Sequence, residues 1–187
     1  MQPSNLTNHF IIAMPDLNDF NFDRSVTYIC EHDENGCFGI IINKETDLKV
    51  REIIEQMDIP VNVDTVTSEQ HVFLGGPVHP GRGFVLHSPA GNWQSSLKVN
   101  DQLALTTSKD ILQAIANDEG PAHSIVALGY AGWGPGQLEA EMAANSWLSC
   151  PAEDQIIFHT PPAKRWQAAA DLIGIDLNLL SHDAGHA

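Results

Sequence analysis

Nine histidines and three cysteines are the side chains best able to do chemistry in this 187-residue chain. Cys30, His32 and Cys37 fall close enough together on one predicted hairpin to share a metal ion. Alternation along a strand puts Cys30 on the face opposite Glu31, however, and no second Cys or His pair completes a four-ligand shell, so no metal site is expected. Nor do the thiols read as nucleophiles: both occupy apolar strand contexts beside Glu31, Asp33 and Glu34, and burial and negative charge each raise a thiol pKa. Buried, reduced, structural cysteines are expected. His79, His87, His123 and His159 stand singly at strand ends or turns, where hydrogen-bonded histidines are the norm. Serine-elbow, zincin and Ser-x-x-Lys signatures are missing, and Glu139 and Glu141, two apart on a predicted helix, do not face one another as an acid/base pair would.

Two glycine-rich segments could bind a ligand through the backbone. Gly129-Tyr130-Ala131-Gly132-Trp133-Gly134-Pro135-Gly136 follows a predicted strand and precedes a predicted helix, the usual setting of a phosphate loop. Yet Gln137 occupies the place of the third glycine of a dinucleotide fingerprint, and no Gly-Lys-Ser/Thr is present. Glu139 and Glu141 near that helix start would also oppose a bound phosphate. A tight strand-to-helix crossover is the favoured reading, with a small-ligand loop as the alternative. Gly75-Gly76-Pro77 could form an anion nest with Arg82 just downstream, or simply make a turn.

These residues need elements to position them, and the hydrophobic pattern supplies short strands first, then strands mixed with helices. Strands are expected over 9–13, 25–31, 37–43, 72–74, 83–87, 102–105, 124–129 and 155–159. Asn35-Gly36 between the second and third predicts a hairpin turn, because Asn-Gly readily takes positive φ. Helices are expected from an Asp47 cap to Met57, from Thr107 or Ser108 to Ala116, from Pro135 or Gly136 through Leu138, Met142 and Trp147, and from Pro161-Pro162 to a stop at Gly174. The pattern lacks strict β-α repetition, which suggests an α+β fold with a mixed sheet. One domain over 1–180 with a polar tail over 181–187 is the simplest division.

Composition narrows the function classes. The net charge is -15, from 24 Asp+Glu against 9 Lys+Arg, and 43% of residues are hydrophobic. Such a chain folds without a disulfide or metal, and its surface repels a polyanion, so direct nucleic-acid binding is not expected. No helix-turn-helix or basic cluster appears. Residues 1–8 lack a basic leader and 10–14 are too short to span a bilayer, which predicts a cytoplasmic protein without membrane contact.

Phe10–Pro15, Ser25-Val26, Glu31-His32, Gly36–Asn43, Gly75-Gly76-Pro77-Val78, Gly83–His87 and Gly129–Glu139 together resemble the YqgE/AlgH family, a bacterial family. The match continues through Trp147, Phe158 and Arg165-Trp166 to Leu172–Asp176. It departs at Cys37, where alanine is usual, and at Lys44-Glu45 after Asn43. The resemblance implies a bifurcated, partly barrel-like sheet flanked by helices, and brings with it a transcriptional-regulator label that spread from one member and that the sequence itself does not support. It implies no cofactor.

The expectation that follows is a non-enzymatic protein that binds a protein partner or small ligand and affects transcription indirectly. The candidate ligand-binding residues are His32, Asn43, Gly75, Gly76, Pro77, Arg82, His87, Tyr130, Trp133 and Gln137, with the His32 hairpin, the Gly75–Pro77 turn and the Tyr130–Gln137 segment converging. The alternative is an enzyme or nucleotide-like ligand binder whose glycine loops hold substrate, with His32 and His87 as acid and base.

Overall fold

The computed structural model describes residues 5–61 and 65–180, so the expected tail at 181–187 lies outside the described residues. The fold is α+β: one sheet curls into a half-barrel with helices packed around it. Its strands are β1 (His9–Ala13), β2 (Val26–Asp33), β3 (Gly36–Ile41), β4 (Glu45–Lys49), β5 (His71–Leu74), β6 (Val78–Ser88), β7 (Ser96–Lys98), β8 (Ala104–Thr106), β9 (His123–Trp133) and β10 (Trp147–Pro151). The helices are α1 (Val50–Gln56), α2 (Lys109–Ala116), α3 (Gln137–Ala143), α4 (Arg165–Asp171) and α5 (Leu177–Leu180). None of the described helices is long and apolar enough to cross a membrane.

The sheet forks at β9. One edge of that strand pairs with β6 from Ser88↔His123 to Val78↔Tyr130. Its other edge is shared: β5 runs parallel to it at Phe73↔Ala127 and Leu74↔Leu128, then β3 runs antiparallel from Gly39↔Ala131 to Cys37↔Trp133. Gly75 stitches the fork, its N–H donating to the Leu128 carbonyl at 2.8 Å and its own carbonyl accepting from Ile41 N–H at 2.8 Å. Backbone crosses backbone at this point, so side chains are excluded. A Cβ on Gly75 would lie 2.4 Å from the Gly129 oxygen, and one on Gly76 2.1 Å from the Tyr130 carbonyl carbon.

Gly129 also changes which way β9 faces. Ile125 and Ala127 join the core inside the curl, while Val126 and Leu128 face α1 and α2. Simple alternation would send Tyr130 with Val126 and Leu128. The positive φ of Gly129, 75°, shifts the phase by one residue, so Tyr130 packs with Ala127 inside the curl. Ala131 and Trp133 then pack with Leu138 of α3 in a third cluster. The bifurcated, mixed sheet agrees with the expectation drawn from the resemblance.

Several local expectations need correction. Gly129–Trp133 is strand, not loop, because these glycines serve the crossing. Asp47 lies within β4, and α1 begins three residues later with Lys49 as its N-cap. Gln155–His159 forms a π-helical turn although Ile156-Ile157-Phe158 reads as a strand. Trp147 belongs to β10, since the chain leaves α3 at Ala144. The Asn35-Gly36 hairpin, α2 and the stop at Gly174 (φ 69°) form as expected.

Candidate functional site

Tyr130 lines two adjoining open grooves on the sheet. Its ring meets Phe38 of β3 edge-on at 5.8 Å between centroids and Phe84 of β6 at 5.6 Å. With Leu97 and Leu105 these rings line a groove of about 490 Å³. Arg82 borders it, exposed, with its guanidinium carbon 5.5 Å from the Phe84 ring centroid, a cation–π distance. On the other side of Tyr130 the groove continues into a trough of about 460 Å³ lined by Phe38, Tyr130, Glu31 and Asp33. The site therefore has a cation at one end, carboxylates at the other and aromatic rings between.

The His32 corner is a closed network. Leu6 N–H donates to His32 Nδ1 at 2.9 Å, so the ring proton sits on Nε2, which donates to Glu139 on α3. Two residues on, Glu141 Oε2 accepts from Trp133 Nε1 at 2.8 Å and from Trp147 Nε1 at 3.0 Å, while Gln137 Nε2 donates to its Oε1 at 3.2 Å. Glu139 is held below the ordinary carboxylate range, first by its own backbone N–H and then by His32. These acids hold α3 against the sheet.

His87 is fully buried on β6. Its Nδ1–H donates to the Pro89 carbonyl at 3.0 Å, leaving Nε2 to accept from the Thr106 hydroxyl at 2.7 Å; Ser96 in turn lies 2.7 Å from Thr106. Burial lowers the His87 pKa. Asn43 is a clamp, accepting from Val26 N–H at 3.0 Å and donating to the Arg24 carbonyl at 2.9 Å.

The structure thus brings Arg82 and Tyr130 to one groove, and His32, Trp133 and Gln137 to one corner. Gly75 and Gly76 lie buried at the fork, where the Gly75 N–H is taken up by the Leu128 carbonyl rather than left for an anion, and Pro77 is exposed beside them. His32 and His87 do not share a site. Through Cys37, His32 sits at the Trp133 end of β9, whereas His87 pairs with Ser124 at the start, about 30 Å away at strand rise. All three cysteines are free and buried; burial first, then nearby acids, raise Cys37 to about 12 and Cys150 to about 11. Among the described residues no group of three or more His, Cys, Asp or Glu could hold a metal.

The AlgH-like family model matches residues 10–178. The chain belongs to the AlgH-like family. A UPF0301 protein of Thioalkalivibrio sulfidiphilus is 58% identical over 184 residues, covering 98% of each chain, and one of Methylococcus capsulatus is 53% identical over 181, covering 97% of this chain and 96% of the other. The solution structure of the AlgH protein from Pseudomonas aeruginosa superposes with a TM-score of 0.80 at 45% identity, covering 100% of this chain and 98% of that one. A crystal structure of a protein from Corynebacterium diphtheriae shares the fold with a TM-score of 0.74 at 20% identity, covering 97% and 93%.

In this AlgH-like chain, sequence reasoning missed Phe38 and Phe84, which read as strand core, and the partners of Glu139 and Glu141. His32 and Glu139 are 107 residues apart, beyond any periodicity argument. One signal pointed to them: two acids in the first turns of a helix after a glycine run, where an internal N–H donor is as good a partner as a solvent cation.

Proposed function

We propose that this protein is a cytoplasmic, non-enzymatic binding protein that influences transcription indirectly, by holding a partner polypeptide in the Tyr130 groove. The observation that carries this reading is the contrast between the two kinds of site. The chemistry-bearing side chains His32, Asn43, His87, Trp133 and Gln137 are engaged in internal hydrogen bonds, while Phe38, Tyr130 and Arg82 face open concave surface. Aromatic rings with an arginine beside them are the residues that anchor protein interfaces. The groove fits a segment with an aromatic or branched side chain over Tyr130 and a Lys or Arg beside Glu31 and Asp33. The net charge of -15 favours a basic partner and disfavours DNA.

A photo-crosslinking residue at Phe38, with the exposed Phe20 as control position, tests this in living cells. A partner adduct at Phe38 that disappears with Tyr130→Ala and with Asp33→Lys is expected. No adduct, or the same adduct from Phe20, overturns the reading.

One observation favours a second, catalytic reading: the Ser96–Thr106–His87 chain, which links an exposed hydroxyl at the groove edge to a buried imidazole. Covalent labelling of Ser96 by a fluorophosphonate, abolished by His87→Gln, would support that reading over binding alone.

A further inference from the structure

A cavity of about 240 Å³ lies between β4, β5, the start of β9 and the π-helical turn, apart from the Tyr130 groove. Arg165, the first residue of α4, is buried against it at 5% exposure. Its guanidinium is fixed on two sides, Nε donating to the Thr160 carbonyl at 2.8 Å and Nη1 to the Ile42 carbonyl at 2.6 Å, and it lies over the Phe73 ring at 5.3 Å. Nη2 makes no hydrogen bond among the described residues and, unlike the rest of the side chain, is not sealed from solvent. A guanidinium offers five N–H donors in a rigid fork, and a buried charge is costly unless it is paired.

Glu45 is the acid whose charge acts on Arg165, and it lines the same cavity, yet no direct bond joins the two among the described residues. Because Glu45 is exposed and Arg165 buried, the cavity runs from a carboxylate at the surface to a cation inside. Phe73 and Phe158 supply apolar wall between them. His71, whose Nδ1–H donates to the Thr46 carbonyl at 2.9 Å, also lines the cavity.

We infer that this cavity binds a free α-amino acid with an apolar side chain. The carboxylate pairs with Nη2 of Arg165, the ammonium with Glu45, and the side chain packs against Phe73 and Phe158. A carboxylate alone would satisfy Arg165 but meet repulsion from Glu45; an ammonium alone would leave Arg165 unpaired. Ligand pockets for drug-sized molecules run from roughly 300 Å³ upward, so this volume suits a single amino acid and excludes a nucleotide.

Amide NMR titration of the full chain with leucine, N-acetyl-leucine and leucinamide tests the inference. Leucine should give saturable shifts at Glu45, Phe73, Ile125 and Arg165, including the Arg165 Nε–H signal, and each blocked analogue should bind at least about tenfold more weakly. Glu45→Gln, on an exposed strand, should weaken leucine about tenfold and leave N-acetyl-leucine no weaker. Arg165→Lys, with folding checked by the same spectra, should abolish both. No saturable shift with leucine up to roughly 50 mM, equal affinity for all three compounds, or leucine binding untouched by Glu45→Gln would each overturn it.

Discussion

Gly76 and Gly129 cross with their backbones in contact: a Cβ built on Gly129 would sit 2.3 Å from the Gly76 carbonyl oxygen. Alanine at 129 would meet that clash and also a φ of 75°, which costs an L-residue about 1–2 kcal/mol by itself. Gly129→Ala should therefore lower stability by about 3 kcal/mol or more in urea melts. Gly81→Ala is the control, since nothing lies within 4 Å of its Cβ, and should stay within about 0.5 kcal/mol. Equal midpoints for the two variants would refute the steric account of the fork.

The shared carboxylate oxygen of Glu141 leads to a fluorescence prediction. Glu141→Ala leaves the Trp133 and Trp147 indole N–H groups, on rings 6% and 4% exposed, without their acceptor. A loss of about 2–4 kcal/mol is expected, with a change in tryptophan emission before unfolding. Glu141→Gln, which keeps an acceptor oxygen, should recover part of both. An unchanged spectrum in the alanine variant would contradict the shared bond.

His87 should make stability fall in mild acid. Burial keeps its pKa below the ordinary 6.5, so below that pH the unfolded chain binds a proton that the folded chain does not. Its contribution is full above pH 6.5 and is lost as pH drops through the window beneath it. Urea midpoints at neutral and acidic pH should differ less for His87→Gln than for the parent chain. Thr106→Val, which removes the hydroxyl that donates to Nε2, should cost about 1–2 kcal/mol at pH 7.

Glu139 acts at lower pH. Its folded pKa lies below the ordinary 4.5, so the stabilisation is present above that value and vanishes as pH falls through the depressed one. The side chain is 49% exposed, and water screening holds the contribution below about 1 kcal/mol. Glu139→Gln should lose that amount at pH 7 and show a shallower acid limb in calorimetry. A larger loss at pH 3 than at pH 7 would run against this sign.

The parts of this fold that were legible in the sequence are those set by near neighbours. Asn35-Gly36 fixes its hairpin within a few residues, and Ile111, Leu112 and Ile115 mark the buried face of α2. The fork could not be read that way. Glycine density at 129–136 signals a loop by local rules, but a strand crossed closely by another backbone requires glycine just as strictly. Glu45–Lys49 has no apolar face because it lies at the sheet's margin, and Ile156-Ile157-Phe158 is too short for periodicity to separate strand from helix. Of the candidate site, Tyr130 and Arg82 were legible as types, but their meeting with Phe38 and Phe84 depends on a phase shift at Gly129 that only the three-dimensional crossing explains.

Because β9 supplies the strand on which both limbs of the sheet depend, the order of synthesis matters to this protein. Until residues 123–133 have emerged from the ribosome, β3, β5 and β6 lack their common neighbour and present unpaired edges. More than half the chain must then wait, partly assembled, for one strand, and that interval is where chaperone contact or misassociation would fall.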